Sequence, residues 1–283
     1  MTLTFALLAG LVGTSAAAAV NLTSLGLDPE LLRRDPVPNK LPQCATYADL
    51  KWQPGLDFDR DSCYNTPAIG ANGFLNPGMG CGKSPQGGCR DEIDLNNNNV
   101  YSRSRCNNGW CAHIYAYYFE KDFPNVCTAA IGHRHDWEHV VVWTKNDKAI
   151  YVATSAHGEY YPRKASDVAW DGTHPKIVYH LEGQGTHAMR FASKSEKPEN
   201  HKKTWFRGTL VSYYGFPSVD LRNKMMRADW GKASIDLRDS RIEGALNKNK
   251  LWIGNDVKAF QSGKDAPDGH NSPGRINGCG VSN

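Results

Sequence analysis

Residues 138–154, EHVVVWTKNDKAIYVAT, carry the clearest structural signal in the chain. The runs 138–144 and 149–154 are rich in Val, Ile, Trp and Tyr, which pack well on the pleated surface of a sheet. Between them stands KNDK at 145–148, whose Asn-Asp pair favours a tight turn. The stretch therefore predicts an antiparallel β-hairpin.

Further strand-like runs lie on both sides of this hairpin, at 114–119, 176–181, 186–192 and 204–214. The chain carries 27 Gly and 15 Pro among its 283 residues, which favours many turns between short elements over long helices. The best helix candidate is 234–246, where apolar residues recur at helical spacing. We predict an all-β protein, a β-sandwich with peripheral helices and its functional loops at one end.

The N-terminus has the features of an export signal. Residues 1–19 carry no charge and pass from an apolar run into small residues that suit signal peptidase. A membrane anchor would need about 20 strongly apolar residues, and the apolar run here is shorter because Ser and Ala replace the larger apolar residues near its end. We therefore predict a secreted, extracellular protein with a signal peptide at 1–19.

Beyond the signal we predict two parts. Residues 20–43 form a tail with one glycosylation acceptor, Asn21, and a dibasic pair at 33–34 that could be a processing site. Residues 44–283 form a single domain. Its first part, 44–111, is rich in Gly, Pro, Asn and Cys, which indicates loops stapled by disulfides.

The chain has 8 cysteines, an even number in a protein predicted to reach an oxidising compartment. They are Cys44, Cys63, Cys81, Cys89, Cys106, Cys111, Cys127 and Cys279. We expect disulfides, and the sequence alone does not choose among the pairings. The competing interpretation is a zinc ribbon, which requires two Cys-x2-Cys pairs that the chain does not have.

The charge balance bears on the class of partner. Lys plus Arg number 33 against 29 for Asp plus Glu, a net charge of +4. Nucleic-acid binding proteins carry a much larger basic excess, so we expect no nucleic-acid partner.

The densest functional pattern is GHRHDWEH at 132–139. If a strand begins near Asp136, period-two alternation places Asp136 and Glu138 on one face. Two carboxylates held side by side repel each other, so a bound divalent cation is the simplest solution. Carboxylate oxygens suit Mg²⁺, Ca²⁺ or Mn²⁺, although the imidazoles keep Zn²⁺ open. The alternative is an ion-paired strand end around Arg134, but one arginine cannot compensate two carboxylates.

Within that pattern, GHRHDWE at 132–138 resembles the signature heptapeptide of the necrosis- and ethylene-inducing peptide 1-like proteins, also called the NPP1 family of secreted microbial toxins. Two further segments, IYAYYFEKD at 114–122 and THAMR at 186–190, are similar to strands that the family places around the same site. The resemblance is highly specific at the heptapeptide and looser elsewhere, and it extends from about residue 44 to the C-terminus.

The resemblance implies a β-sandwich similar to actinoporins and fungal lectins, with a divalent cation in a negatively charged cavity at one end. Carried over position by position, the family's pattern implies that Asp122 and Asp136 touch the cation. It implies that His133, Glu138 and His187 lie nearby or act through water.

The resemblance also implies a target and an outcome. The target is the headgroup of the glycosylinositol phosphorylceramides, which are sphingolipids of plant plasma membranes. The outcome is loss of membrane integrity, with necrosis and immune responses, after peripheral membrane contact. No bond of the lipid is broken, so we expect no enzyme. Trp170 and Trp205 are the candidates to enter the membrane interface, and the alternative is that both are core or sandwich-edge residues.

Two other functions stay open. Tyr117 and Glu120 depart from the residues usual in the family, and these departures motivate the alternative of a non-cytotoxic, lectin-like protein that binds glycans with the same fold. A metal-assisted hydrolase is the third interpretation, because paired carboxylates, histidine and a divalent cation also describe such sites.

A second cation site is the last expectation. The long connection 123–132 contains a cysteine and resembles the family's second type, which has extra disulfides and is thought to bind calcium. Asp57, Asp59 and Asp61 stand at alternate positions, like the first ligands of a calcium loop. The glycine and the bidentate glutamate of an EF-hand are missing, so a solvated acidic turn is the alternative.

Overall fold

The structure is a computed structural model of the chain, and it describes residues 36–80, 82–123, 132–183 and 185–264. The predicted signal peptide, Asn21 and the dibasic pair at 33–34 lie outside these residues, as do Cys81, Cys127 and Cys279.

Ten strands and four α-helices make up the described part of the chain. The strands are β1 (Gly55–Phe58), β2 (Asn99–Asn107), β3 (Trp110–Asp122), β4 (His133–Lys145), β5 (Lys148–Ala156), β6 (Glu159–Lys164), β7 (Trp170–Asp171), β8 (His174–Glu182), β9 (Thr186–Phe191) and β10 (Thr209–Ser212). The helices are α1 (Tyr47–Trp52), α2 (Glu92–Asn96), α3 (Val219–Arg227) and α4 (Asp239–Ile253), with short 3₁₀ turns at Ala165–Asp167 and Gly254–Val257.

The strands form two sheets. The larger sheet has six strands in the order β10-β2-β3-β4-β5-β6, and the smaller sheet has four, with β1, β7 and β9 around β8. Along β3, Tyr117 and Phe119 pack into a core that also contains Tyr179 of the smaller sheet. The alternate residues, such as Tyr118, pack into a second core with Leu246 of α4. The predicted β-sandwich with helices on the outside is confirmed.

The hairpin predicted at 138–154 is confirmed and extends further at both ends. β4 and β5 pair antiparallel with Val142 opposite Val152. Asn146 and Asp147 take φ values of 50° and 57°, the left-handed conformation that a tight hairpin turn requires.

The predicted helix starts later than expected. Ile235 and Leu237 are both completely buried, and their alternation fits an extended segment packed on the larger sheet. The helix begins only at Asp239 and continues beyond the predicted end to Ile253. The apolar spacing at 234–238 predicts helix, but packing against the larger sheet keeps this segment extended.

Disulfides join Cys63 to Cys89 and Cys106 to Cys111, and Cys44 is disulfide-bonded as well. No cysteine within the described ranges is free, so these thiols are not available to a zinc ribbon, and that interpretation is wrong for them. Within the same ranges, no helix combines the length and the apolar character needed to cross a bilayer.

Candidate metal centre

The end of β3 and the start of β4 bring two predicted ligands together. Asp122 and His133 are direct partners across the two strands. Gly132, just before His133, has φ +84°, and a Cβ there would lie 2.3 Å from the carbonyl oxygen of Asp122. Only glycine fits this close approach. His135 has φ +63°, which interrupts the strand's alternation and lets His133 and Asp136 line the same cavity.

Asp122 is buried, and within the described residues only one of its carboxylate oxygens accepts hydrogen bonds. Oδ1 accepts hydrogen bonds from the backbone N–H of His187 at 2.6 Å and from the ring Nδ1 of His187 at 2.8 Å. Oδ2 lies 3.6 Å from Nε2 of His133. The Nδ1–H of His133 donates to the carbonyl oxygen of His135 at 2.6 Å, so in the neutral ring Nε2 carries a lone pair. Oδ2 of Asp122 and this lone pair on Nε2 of His133 therefore face each other, and a cation bound between the two atoms would remove their repulsion.

Asp136 completes the group. Its Oδ1 accepts from the backbone N–H of Trp137 at 2.9 Å and its Oδ2 accepts from the Tyr179 hydroxyl at 2.8 Å. Burial, and then the charge of Asp122, raise the pKa of Asp136 well above its usual range. One ligand atom from each of Asp122, His133 and Asp136 lies within 4.8 Å of the others. A cation about 2.3–2.6 Å from each atom fits such a set.

Glu138 lies next along the same face, as alternation predicts, and lines the same cavity. Its carboxylate accepts a hydrogen bond from the Ser155 hydroxyl. Burial and the neighbouring Asp136 raise the pKa of Glu138 well above its usual range. Glu138 stands outside the three-residue group of candidate ligands.

His187 positions Asp122 from β9. Burial lowers the pKa of this imidazole, but the carboxylates of Asp122 and Asp61 outweigh burial and raise its pKa to about 9. Its Nε2 is buried and has no hydrogen-bond partner among the described residues, and a carboxylate oxygen of Asp61 lies 3.9 Å away. The ring stacks on Tyr179 at 4.9 Å, and Tyr179 stacks on Phe119 at 3.6 Å. This ring stack holds both His187 and the Tyr179 hydroxyl against the aspartates.

The centre opens into a cavity of about 270 Å³. Sequence reasoning missed several residues that shape it, namely Ser155, Tyr179, Asp236 and Arg241. None belongs to a motif: Ser155 and Tyr179 lie on strands β5 and β8, Asp236 lies just before α4, and Arg241 lies on the first turn of α4. No local signal in the sequence could have identified them.

The predicted calcium residues have other partners. Asp57 is buried and accepts hydrogen bonds from the backbone N–H groups of Glu199 and Asn200 at 2.8 and 3.1 Å. Asp59 Oδ1 lies 3.4 Å from the Arg190 guanidinium, and Asp61 faces His187. Across the described ranges, ligand atoms converge at Asp122, His133 and Asp136, and the three N-terminal aspartates form no such group.

The two tryptophans expected at a membrane are both half-buried. The indole N–H of Trp170 donates to the Ala165 carbonyl oxygen at 2.8 Å, and the ring packs edge-on against Trp52. Trp205 is half-buried beside Gly55. Trp252, which is 67% exposed on the last turn of α4, is the tryptophan most open to solvent in the described residues.

Comparison with known proteins places this site in a family. The sequence model of the family described as Necrosis inducing protein (NPP1) matches residues 46–249, which include the whole candidate centre. NLP effector protein 10 of Phytophthora capsici is 29% identical over 244 residues, which cover 83% of this chain and 95% of the relative.

Solved structures agree with the sequence comparison. The crystal structure of Necrosis and Ethylene inducing Protein 2, from the causal agent of cocoa's Witches Broom disease, superposes with a TM-score of 0.63 at 30% identity and covers 75% of this chain and 94% of that one. NLPPya in complex with mannosamine superposes with a TM-score of 0.63 at 28% identity, covering 76% and 97% respectively.

Proposed function

Because this chain belongs to the necrosis-inducing protein (NPP1) family, we propose that it acts outside the producing cell as a cation-dependent cytolytic effector. Its proposed target is the sugar headgroup of glycosylinositol phosphorylceramides in plant plasma membranes. Binding is peripheral, and the consequence is membrane damage, necrosis and an immune response.

One observation carries this proposal: Asp122, His133 and Asp136 converge on one point at the edge of a cavity. These three residues would hold a divalent cation, and the hard oxygen ligands favour Mg²⁺, Ca²⁺ or Mn²⁺. When bound, such a cation offers coordination positions to hydroxyl groups of a sugar. The chain's own contribution is the arrangement: His187 fixes Asp122, and Tyr179 fixes Asp136.

The sugar as ligand class is supported by the mannosamine complex of a relative with the same fold. A single sugar bound through hydroxyl groups is held weakly, because water competes for every polar contact. A membrane presents many headgroups at once, and several bound protein molecules or contacts then raise the effective affinity. The proposal therefore needs no chemical change in the lipid.

Vesicle leakage tests the proposal. Vesicles containing purified plant glycosylinositol phosphorylceramide and an entrapped dye are mixed with the wild type or with Asp136→Asn, which keeps the side chain's shape and removes its charge. We expect dye release by the wild type that stops when a chelator is added, and no release by Asp136→Asn. Asp220→Asn, at an exposed site on α3, is the matched control and should behave as the wild type.

Other outcomes separate the competing functions. Equal leakage by the wild type and Asp136→Asn would refute the site. Cation-dependent vesicle binding without leakage would identify the lectin-like alternative. Release of sugar or phosphate from the lipid, abolished by Asp136→Asn, would identify the hydrolase.

A further inference from the structure

A basic surface lies apart from the candidate metal centre, on the connection between β9 and β10. Residues 193–207 read SKSEKPENHKKTWFR, and we call this segment the basic loop. The structure describes the whole of it, and none of its residues lines the cavity of the metal centre. Its Lys and Arg side chains are all exposed: Lys194, Lys197, Lys202, Lys203 and Arg207.

The basic loop is fixed to the outer face of the smaller sheet. On β8, Val178 alternates with residues of the core between the sheets, so it faces outward. Asp57 and Arg190 flank Val178 on the neighbouring strands. Asp57 is buried and accepts hydrogen bonds from the backbone N–H and the side-chain amide of Asn200 at 3.1 and 3.0 Å. Arg190 pairs with Glu196 at 2.6 Å, so the loop is held at both sides of this face.

Asn200 also organises the lysines that follow it. Its side chain is completely buried, and its Oδ1 accepts a hydrogen bond from the backbone N–H of Lys202 at 3.1 Å. The backbone N–H of Lys203 donates to the carbonyl oxygen of Asn200 at 3.0 Å, and Lys203 has φ +53°. Glycine or asparagine adopts this left-handed conformation at a lower cost than lysine. A fixed turn therefore presents two adjacent lysines, one of them where a less strained residue would fit.

The acidic residues of the basic loop are neutralised, whereas its lysines are not. Glu196 pairs with Arg190, and Glu199 lies 3.5 Å from Arg60. Within the described part of the chain, no lysine of the loop forms an ion pair with a carboxylate, and Arg207 donates to the ring of His174 instead. The exposed charge of the loop is therefore positive and attracts anions.

The aromatic residues of the loop do not form an apolar anchor. Trp205 and Phe206 are half-buried. Nζ of Lys176 lies 5.3 Å from the centre of the Trp205 ring, and Nζ of Lys202 lies 5.1 Å from that of Phe206. Insertion into a bilayer interface requires exposed apolar side chains, and stacking of nucleic-acid bases requires open aromatic faces. Charges on a polar surface fit a hydrophilic polymer with repeated anionic groups better.

We propose that the basic loop binds an acidic polysaccharide, a chain of sugars with a carboxylate on successive units, independently of the metal centre. A single contact between an exposed lysine and a carboxylate is weak, but several contacts to one polymer chain raise the effective affinity. Carboxylated polysaccharides are present in plant cell walls, so the choice of polymer rests on the proposed function, which places the chain outside a plant cell. Binding there would concentrate the protein next to the membrane.

The affinity for a defined oligogalacturonate, measured by isothermal titration calorimetry at low salt and without divalent cations, tests this inference. The wild type should bind the oligogalacturonate and should not bind an uncharged dextran of the same length. Binding should weaken steeply as NaCl is added, because salt screens interactions between exposed charges.

Variants assign the binding to the basic loop. The loop variant replaces three of its lysines: Lys197→Gln, Lys202→Gln and Lys203→Gln. A control with the same net charge replaces three exposed lysines elsewhere: Lys148→Gln, Lys224→Gln and Lys258→Gln. The loop variant should bind about 10-fold more weakly than wild type, since three modest factors multiply, and the control should stay within about 2-fold. Arginine at the three loop positions should retain the affinity, because it keeps the charge.

Several outcomes would overturn the inference. They are no binding by the wild type, an equal loss in the loop variant and the control, and tighter binding to phosphatidylserine vesicles or a DNA duplex than to the oligogalacturonate. Should the loop variant not fold, Lys194→Gln combined with Lys197→Gln takes its place, with an expected loss of about 4-fold.

One further variant separates this inference from the proposed function. Asp136→Asn should bind the oligogalacturonate like the wild type even if it no longer releases dye from vesicles. Loss of oligogalacturonate binding in Asp136→Asn would show that the polymer binds at the metal centre, and the basic loop would then have no role of its own. If the wild type releases no dye but the loop variant still loses polymer binding, the proposed function fails and this inference stands.

Discussion

His187 donates two hydrogen bonds to the same oxygen of Asp122, one from its backbone N–H at 2.6 Å and one from its ring at 2.8 Å. Strand β9 of the smaller sheet thereby fixes a carboxylate at the end of β3 in the larger sheet. The second oxygen of Asp122 is left to face His133. The sandwich itself, and not only the local sequence, therefore sets the orientation of the predicted ligand.

Replacing His187 should weaken cation binding without removing a ligand. In His187→Leu the ring donor to Asp122 is lost while the backbone donor stays, so the carboxylate is less well oriented. Loss of such a supporting contact typically costs about 10–100-fold in metal affinity. Competition with a fluorescent Mg²⁺ and Ca²⁺ indicator measures the change. Unaltered affinity would show that β9 does not position the site.

Replacing Gly132 should damage both stability and the site. In Gly132→Ala the new Cβ meets the Asp122 carbonyl and the φ of +84° is strained. Gly109→Ala is the control, since Gly109 has φ +76° and open space around it. We expect the control to lose about 1 kcal/mol of unfolding free energy from strain and Gly132→Ala to lose at least about 2 kcal/mol more. Urea denaturation measures both, and equal losses would contradict the close approach.

Removing the charge of Asp136 should have opposite effects with and without cation. Burial next to Asp122 makes the ionised carboxylate unfavourable in the metal-free protein, so Asp136→Asn should unfold at the same or a higher temperature than wild type. With cation at about 100 times its dissociation constant, wild type should gain about 2.7 kcal/mol, and the variant should gain almost none. Thermal melts with and without Ca²⁺ provide the test, and an equal gain in both proteins would contradict the ligand set.

A separate buried carboxylate should control acid stability. Asp49 accepts hydrogen bonds from the hydroxyls of Ser104 and Ser212 and from the His113 ring, which tie α1 to the larger sheet. Burial raises the pKa of Asp49, but these hydrogen bonds and the electrostatic interaction with His113 together outweigh burial and lower it. The resulting stability is present above the unfolded pKa of about 3.9 and is lost as pH falls through the lower folded pKa.

Asp49→Asn removes this titration. The variant should lose about 1–3 kcal/mol at pH 7 and show a flatter decline below about pH 4 than wild type. Urea denaturation across the pH range measures the slope. Asp220→Asn should follow the wild-type curve, and a parallel decline in Asp49→Asn would assign acid unfolding to other groups.

The hairpin at 138–154 and the shared face of Asp136 and Glu138 could be predicted because both follow from local alternation. The position of His133 could not, since it depends on the left-handed conformation of His135. Tyr179 lies within a run that the sequence predicts as a strand, yet its contact with Asp136 requires the stacking of two sheets. Long-range packing is the part of the site that a single sequence does not report.

The three aspartates predicted as calcium ligands show that spacing along the chain can also suggest a site that the fold does not assemble. The alternate spacing of Asp57, Asp59 and Asp61 suggests ligands, but the structure uses Asp57 to bind the backbone N–H groups of a distant loop. Spacing along the chain does not reveal which partners arrive from elsewhere in the fold.

A crystal structure of the protein with Mn²⁺, located by its anomalous scattering, is the sharpest test of the proposed metal centre. We expect a strong peak bonded to Asp122, His133 and Asp136, and no such peak in Asp136→Asn. A peak that persists unchanged in the variant, or that lies only beside Asp57 and Asp59, would show that the cation is held elsewhere.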